Sequence, residues 1–266
     1  MTIVELLPHL LPNEDEEVSQ QLERAFRKQG ITVLTDTKVT EMTAGTKTAK
    51  VTMEGPDGST TSEYQRLLVA VGVQANIEGL ELEKVGVGTE KGFIAVNDHM
   101  LTSVQSISAI GDVTGLMLLA HVATAQGVAV AEWQAGQDSP TIDYDIMPKA
   151  VYCQPQVASW GLTEEQAQAQ GHQTQVGRFP FSANGKALGL GDSEGFVKTI
   201  IDAEYGEILG VHMIGPEVTE LLAELSMARM LEGTAQEVGS LVHAHPTLSE
   251  VVKESALAAR GEAIHM

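Results

Sequence analysis

The first 34 residues contain two short apolar runs separated by one amphipathic stretch, and this order restricts the fold more than any other feature. The runs Thr2–Leu7 and Ile31–Leu34 are predicted strands. Asn13 is the predicted N-cap of the helix between them, whose first turn is acidic and which ends at Gly30. The predicted apolar face of this helix consists of Val18, Leu22, Ala25 and Phe26. A helical connection joins parallel strands, so the sequence predicts a parallel βαβ unit here.

The rest of the chain divides into an antiparallel region, a region rich in small residues and an α+β region. Antiparallel pairing is predicted for Ala49–Met53 and Tyr64–Val71, which flank a Pro-Asp-Gly turn. The predicted helix Leu119–Trp133 carries alanines that allow close approach of a flat ligand or a neighbouring element. After a polar connection at 136–145, a capping box at Thr163–Gln166 opens a predicted α+β unit. Its later elements are predicted at Gln175–Phe181, Phe196–Asp202, Glu207–Ile214, Glu217–Leu231 and Thr234–Val242.

Composition restricts the class of protein. Of the 266 residues, 43% are hydrophobic and 20% charged, which is the balance of an ordinary globular protein. The formal net charge of −20 argues against a surface that binds nucleic acid or an anionic membrane. No apolar run approaches the roughly 20 residues that span a bilayer, and no signal pattern begins the chain. We therefore expect a cytoplasmic protein with no nucleic-acid or membrane partner.

The single cysteine and the absence of a nucleophilic serine motif argue against two classes of reaction, disulfide exchange within the chain and serine hydrolysis. Cys153 is the single cysteine, so neither a disulfide scaffold nor a thiol–disulfide pair can form within this chain. It lies in the strand-like run Ala150–Cys153 and is predicted to belong to the core. A serine hydrolase is disfavoured because no Gly-x-Ser-x-Gly elbow occurs.

The segment His243–Glu250 places a histidine and a carboxylate at the start of the last predicted helix. Thr247 is the predicted N-cap, and the apolar positions that follow put Glu250 in the first turn. Pro246 favours an extended backbone at His245. An imidazole with one ring nitrogen held by a carboxylate has a fixed tautomer and raised basicity, as a general acid/base near pH 7 requires. His245 and Glu250 are therefore candidate catalytic residues.

Two other interpretations of this segment remain open. Thr247 and Glu250 also fit a capping box, in which the glutamate only reaches back to the N-cap amide and His245 is a turn residue. Alternatively, His243 and His245 could bind a metal from one side of an extended segment, although no third ligand with zinc-type spacing is evident.

Two acidic residues end apolar strands and are candidate ligand contacts. Dinucleotide-binding folds place an acid such as Glu5 at a strand end, about 20 residues after a glycine-rich turn, where it binds ribose hydroxyls. No such turn precedes Glu5, and the glycine pairs that begin at Gly86 and Gly189 have different spacing and lead into strand-like segments. Asp112 follows a short apolar strand and could accept hydrogen bonds from ligand hydroxyls. Taken singly, each acid is better explained as an ordinary strand-end or turn residue.

A series of motifs resembles, in its order, the flavoprotein disulfide reductases, and most closely the dihydrolipoamide dehydrogenase family. The motifs are Leu7–Asp15, Val69–Gly72, Ala109–Val113, Leu119–His121, Gly161–Glu164, Gly210–Gly215 and His243–Glu250. They span nearly the whole chain, so a joint chance match is remote. One departure is Gly72–Asn76, where the family often has arginine followed by proline and asparagine, so any NAD contact of that arginine is in doubt.

The resemblance implies an α/β remainder of a Rossmann-type nucleotide-binding region followed by an α+β interface domain. Residues 1–75 would be the remainder of the NAD-binding domain, 76–147 the central, flavin-side region, and 148–266 the interface (dimerisation) domain. The family's flavin-binding half, redox-active cysteine pair and NAD-binding glycine-rich turn would lie upstream of Met1. The chain is therefore expected to be the C-terminal part of such an enzyme, inactive alone and binding neither cofactor stably by itself.

The resemblance also implies the sites for FAD and NAD. Glu5 would bind the NAD ribose and Asp112 the flavin ribityl chain, and Gly72 would lie among the cofactor-binding residues. The flavin ring region would contact the backbone of Leu119, Ala120 and His121.

Catalysis and partners follow from the same resemblance. His245 would exchange a proton with the dithiol while Glu250 orients it, and the pair would act in the active site of the partner subunit of a homodimer formed through residues 148–266. The parent reaction would oxidise dihydrolipoyl groups and pass electrons through a disulfide and FAD to NAD. The partner would be the lipoyl domain of a 2-oxoacid dehydrogenase complex. The alternatives are a dimerisation module without catalysis and a relative of glutathione or mercuric reductase.

Overall fold

A computed structural model describes residues 1–265, which form two compact units. One unit contains residues 1–67 and 145–265, and the other contains residues 68–144. The division into three regions at 75 and 147 stays a prediction.

The chain begins with the predicted βαβ unit. Strands β1 (Thr2–Val4) and β2 (Thr32–Leu34) pair in parallel, and helix α1 (Glu16–Lys28) connects them. Three residues of the predicted apolar face, Val18, Leu22 and Ala25, are buried. Gly30 adopts the left-handed conformation, with φ of 81°, that ends the helix as expected. An antiparallel sheet follows, made of β3 (Lys38–Ala44), β4 (Ala49–Gly55) and β5 (Gly58–Tyr64).

The predicted strand continuing to Val71 is wrong beyond Tyr64. Within residues 1–265 no strand pairs with the run Leu67–Gly72, and Leu68 and Val71 are 88% and 93% exposed. A strand of this composition is normally buried between neighbours on both sides, and this run has none in the described chain. Its apolar character therefore does not make it a strand here.

The second unit holds short elements around one longer helix. In chain order they are α2 (Leu82–Val85), β6 (Thr89–Glu90), β7 (Phe93–Ile94), a 3-10 turn (Gly111–Thr114) and α3 (Ala120–Gln134). The helix begins one residue after the predicted start. Val87, Ile94 and Ala109 form the small core of this unit.

The rest of the first unit is the predicted α+β region, built on a five-stranded antiparallel sheet in the order β10-β11-β12-β9-β8. The strands are β8 (Lys149–Val151), β9 (Gln156–Gly161), β10 (Thr174–Pro180), β11 (Phe196–Asp202) and β12 (Ile208–Gly215). The helices are α4 (Glu164–Ala169), α5 (Gly185–Leu190), α6 (Val218–Met230), α7 (Ala235–Ser240) and α8 (Glu250–Ala259). The capping box predicted at Thr163 and Gln166 is confirmed.

Alternation along the strands gives this sheet two different faces. One face packs with α6, α7 and α8 into the main core around Trp160 and Met213. On the other face, Val157 and Ile214 pack against α1. Helix α1 therefore connects the βαβ unit to the C-terminal sheet.

A row of polar side chains crosses that second face, one from each strand. The row, in sheet order, is Arg178, Lys198, His212, Ser159 and Lys149. Asp15, at the start of α1, pairs with the buried Lys198 at 2.8 Å, and Glu17 pairs with the same ammonium at 2.7 Å. Glu17 also accepts two hydrogen bonds from the Arg178 guanidinium, at 2.6 and 2.8 Å. We call the five side chains from the strands, without Asp15 and Glu17 of the α1 region, the polar row.

The polar row explains why the predicted N-cap of α1 is wrong. The cap is Asp15 and not Asn13, because one carboxylate oxygen of Asp15 accepts the Glu17 amide at 3.0 Å while the other binds Lys198. His212 lies in the middle of the row and is fully buried. Burial lowers the pKa of His212 to about 4, although its Nε2 donates to the Leu162 carbonyl at 2.9 Å, so the ring is neutral at pH 7.

Acid should destabilise the first unit over a pH range that depends on the pKa of Glu17. The hydrogen bond from Arg178, followed by the contacts with Lys198, lowers the pKa of Glu17 from 4.5 to about 2 despite partial burial. The stabilisation from this carboxylate is therefore present above about pH 4.5 and is lost as the pH falls through about 2. Denaturant unfolding at several pH values should show a smaller acid-induced loss for Glu17→Gln than for the original chain. Equal losses in the two proteins would contradict this assignment.

Candidate functional site

The last helix places Glu250 as the sequence predicts. Its buried side includes Val251, Val252, Ser255 and Ala256, which follow the helical spacing. Because this side packs into the main core, Glu250 is fixed in the first turn, next to the segment that carries His245. The predicted N-cap is wrong by two residues, since Ser249 and not Thr247 occupies that position.

The Glu250 carboxylate bridges two groups of this segment. His245 Nδ1 lies 3.0 Å from Glu250 Oε1 and 3.3 Å from Oε2, and the Thr247 amide donates to Oε2 at 2.9 Å. The carboxylate thus makes the backbone contact of the capping-box interpretation and the imidazole contact of the catalytic interpretation together. The Thr247 hydroxyl takes no part in a capping box, because it donates to the Ala244 carbonyl at 2.7 Å.

The electrostatics of Glu250 keep it ionised. Partial burial raises its pKa, but the hydrogen bonds from Thr247 and His245 and the charges of His245 and His243 have the larger combined effect and lower it below its ordinary value. An ionised carboxylate only accepts hydrogen bonds, so His245 Nδ1 carries the proton in this contact.

The other nitrogen of the imidazole is directed to solvent. The His245 side chain is 77% exposed, and within residues 1–265 Nε2 makes no hydrogen bond. A neutral ring with its proton on Nδ1 has a lone pair on Nε2. The geometry therefore offers an oriented base to a group outside the described chain.

His243 has a different environment from His245, a distinction that sequence reasoning missed. Its Nε2 lies 2.9 Å from Glu224 Oε1 on α6, and its side chain is only 5% exposed. The His-x-His spacing was a signal, but its partner lies 19 residues away on another helix. Within residues 1–265, no group of three His, Cys, Asp or Glu side chains is placed to hold a metal ion.

In the second unit, the structure brings the turn of Asp112 against α3. The buried Gln126 side chain accepts the Gly111 amide at 2.6 Å and donates to the Tyr144 hydroxyl at 2.8 Å. Gly111 has a φ of 73°, and a Cβ there would lie 3.2 Å from the Ala123 Cβ. Asp112 is held at the surface by this turn.

The start of α3 is the other predicted cofactor contact of this unit. Leu119 is extended and precedes the helix, which begins at Ala120 and His121. Leu119, at the N-cap position, provides no side-chain cap, and the first-turn amides of any helix find no acceptor within that helix. Such an end favours an electronegative ligand.

The remaining predicted contacts lie in different units. Glu5 follows β1, and its carboxylate accepts the Leu7 amide at 2.8 Å. Gly72 belongs to the other unit, is exposed and has a φ of 123°, which suits glycine.

Cys153 is half-buried, and its thiol donates to the Pro155 carbonyl at 3.1 Å. Burial raises the pKa of this thiol, which keeps it protonated.

No helix within residues 1–265 combines the length and apolarity required to cross a bilayer.

Two protein-family models match this chain, one in its N-terminal half and one in its C-terminal half. Residues 1–127 match the family model described as pyridine nucleotide-disulphide oxidoreductase, and residues 147–256 match the dimerisation domain of the same family. A dihydrolipoyl dehydrogenase of Mycobacterium tuberculosis is 48% identical over 96% of this chain and 55% of its own length. That of Bacillus subtilis is 45% identical over 100% of this chain and 56% of its own length. The chain thus spans about half the length of these curated relatives.

Solved structures give the same result. LpdA of Mycobacterium tuberculosis matches 96% of this chain and 55% of its own with a TM-score of 0.88 and 28% identity. The flavoprotein disulfide reductase RclA of Escherichia coli matches with a TM-score of 0.86 at 23% identity, which shows the fold alone. Sequence, family models and fold therefore agree that the chain belongs to the pyridine nucleotide-disulphide oxidoreductases.

Proposed function

We propose that this chain supplies the acid/base pair and the dimer interface of a dihydrolipoyl dehydrogenase. The observation that carries the proposal is the geometry of His245, whose Nδ1 is 3.0 Å from Glu250 while Nε2 is exposed. The similarity to dihydrolipoyl dehydrogenases supports the choice of a dithiol as the substrate.

His245 removes a proton from the substrate dithiol in this proposal. A thiol with a pKa near 8.5 is mostly protonated at neutral pH, and the thiolate is the reactive form. Nε2 of the neutral ring accepts that proton, and the Glu250 carboxylate stabilises the resulting imidazolium through Nδ1. Glu250 is the orienting partner, because its contact fixes the tautomer before the substrate arrives.

The proposed cofactor contacts are FAD at Asp112 and α3, and NAD at Glu5. The turn that carries the exposed Asp112 is bonded to Gln126 of α3, which supports a ligand contact shared by this turn and the start of α3. Bound FAD would accept electrons from the dithiol by way of a disulfide and pass them to NAD. Asp112 would bind flavin hydroxyls and Glu5 ribose hydroxyls, each through carboxylate oxygens.

The proposed flavin ring contact is the backbone of Leu119, Ala120 and His121, and Gly72 is proposed to lie among the cofactor-binding residues. We propose the boundaries 1–75, 76–147 and 148–266 for the NAD-side, flavin-side and interface regions.

The proposed partners are a second copy of the chain, joined through residues 148–266, and a lipoyl domain of a 2-oxoacid dehydrogenase complex. The match to a dimerisation domain supports the homodimer. The exposed Nε2 of His245 is consistent with action on a site in the partner subunit.

A dimerisation module without catalysis is the second candidate, and the single cysteine favours it because the chain alone has no dithiol–disulfide pair. Size-exclusion chromatography combined with flavin absorbance separates the candidates. A colourless dimer is expected if the chain is only a module. A yellow protein that regains dehydrogenase activity when the N-terminal part of a relative is added supports the enzyme, whereas a monomer contradicts both.

A further inference from the structure

A second imidazole–carboxylate pair lies two residues from His245. His243 Nε2 is 2.9 Å from Glu224 Oε1 on α6, and His243 Nδ1 is 3.2 Å from the Leu241 carbonyl oxygen. The His243 side chain is 5% exposed, compared with 77% for His245. The two histidines of the motif therefore face opposite ways, one toward the fold and one toward solvent.

Both ring nitrogens of His243 face acceptors. The contact with the Glu224 carboxylate is the shorter of the two, at 2.9 Å against 3.2 Å for the Leu241 carbonyl oxygen. Hydrogen bonds to carboxylates are stronger than hydrogen bonds to neutral acceptors. His245 differs, because only its Nδ1 faces an acceptor.

The remaining contacts show what this pair holds in place. The buried Asn184 donates to the Thr247 carbonyl at 3.0 Å, and Glu250 accepts the Thr247 amide at 2.9 Å. These contacts hold Thr247, and the Glu250 carboxylate that protects the Thr247 amide also binds His245, so a displacement of the segment at His243 reaches Thr247 through Glu250. Among the side chains of residues 241–244, the bond from His243 to Glu224 is the one hydrogen bond to another element of the described chain. Without it, the hydrogen bonds that remain between residues 241–244 and the rest of the described chain are the backbone bonds of Leu241 to α7 and the bond from the Thr247 hydroxyl to the Ala244 carbonyl.

We propose that Glu224 and His243 are positioning residues, which hold the segment 243–247 on α6 so that His245 keeps Nδ1 on Glu250 and Nε2 exposed. The inference rests on the proposed acid/base role of His245. It adds a residue outside the His245–Glu250 pair, Glu224 on α6, that is needed to keep this pair in position. In the proposed function, α6 does not contact the substrate.

The test measures amide hydrogen exchange at a single residue, Thr247, in the full chain. The Thr247 amide is bonded to Glu250, so its hydrogen exchange reports whether the segment is held. Glu224→Ala should accelerate this exchange roughly tenfold or more, the effect of losing a hydrogen bond to a charged group. Imidazole ¹⁵N spectra, assigned with His245→Gln, should show that His245 loses its dominant Nδ1–H form. Glu224→Gln keeps an oxygen acceptor and should restore part of both signals.

The controls separate positioning from general stability. Glu220→Ala alters an exposed glutamate one turn earlier on α6 and should leave Thr247 exchange unchanged. The amide of Phe181, a buried residue bonded to the Gly195 carbonyl at 3.0 Å, should exchange at the same rate in all variants.

Two results would overturn the proposal: unchanged Thr247 exchange in Glu224→Ala, or equal acceleration at Thr247 and Phe181. Failure of the proposed function is distinguishable, because full turnover in His245→Gln would leave the dependence of Thr247 protection on Glu224 intact.

Discussion

Replacing His245 with glutamine should slow the oxidation of dihydrolipoamide by about 10²- to 10⁴-fold, the usual contribution of a general acid/base. Glutamine approximates the size of imidazole but cannot accept a proton at neutral pH. The assay requires a complete enzyme, for which the Bacillus subtilis relative is suited because it aligns with the whole chain. Its matching region would be replaced by this chain, with and without the substitution.

The matched control is His172→Gln in the same chimera. His172 lies next to Asp202, away from the candidate site in sequence, and is also partly exposed. Its substitution should leave turnover unchanged. Turnover of His245→Gln within a factor of a few of the unsubstituted chimera would remove the acid/base role. A rise in KM with unchanged kcat would instead assign His245 to substrate binding.

Replacing Lys198 with methionine should lower the free energy of unfolding by about 3–5 kcal/mol, because removing one partner of a buried ion pair leaves the other uncompensated. The Lys198 side chain is 3% exposed and that of Asp15 is 6% exposed. Burial acts to lower the pKa of Lys198, but the hydrogen bonds to Asp15 and Glu17 raise it, so the group is charged at neutral pH. Chemical denaturation monitored by circular dichroism measures the change.

Two variants make this prediction specific. Lys28→Met removes a lysine that is 76% exposed and lies 3.8 Å from Glu194, and it should cost no more than about 1 kcal/mol. The double variant Asp15→Asn with Lys198→Met removes both buried charges while asparagine keeps an N-cap acceptor. It should be more stable than Lys198→Met alone. A loss below about 1 kcal/mol for Lys198→Met would contradict the argument.

Local patterns in the sequence predicted local structure well. The βαβ opening, the capping box at Thr163 and the buried side of α8 depend on residues within a few turns of each other, and each is confirmed. The contact of His245 with Glu250, separated by five residues, also lay within reach of spacing arguments.

What the sequence could not predict depends on distant partners. The N-cap of α1 moved to Asp15 because Lys198, 183 residues away, binds the same carboxylate. The bond of His243 to Glu224 depends on how α6 packs, which no periodicity reveals. The apolar run Leu67–Gly72 predicts a strand, because composition indicates burial but cannot identify a neighbouring strand to pair with.

The polar row has a consequence for dividing this molecule into parts. The two family matches end and begin at 127 and 147, which suggests a convenient place to cut the gene. An excised C-terminal piece would lose α1, expose Val157 and Ile214 to water and leave the Lys198 ammonium without its carboxylates. Helix α1 thus supports the C-terminal sheet, and a transplanted version of that sheet must include α1 as well as the strands β8 to β12.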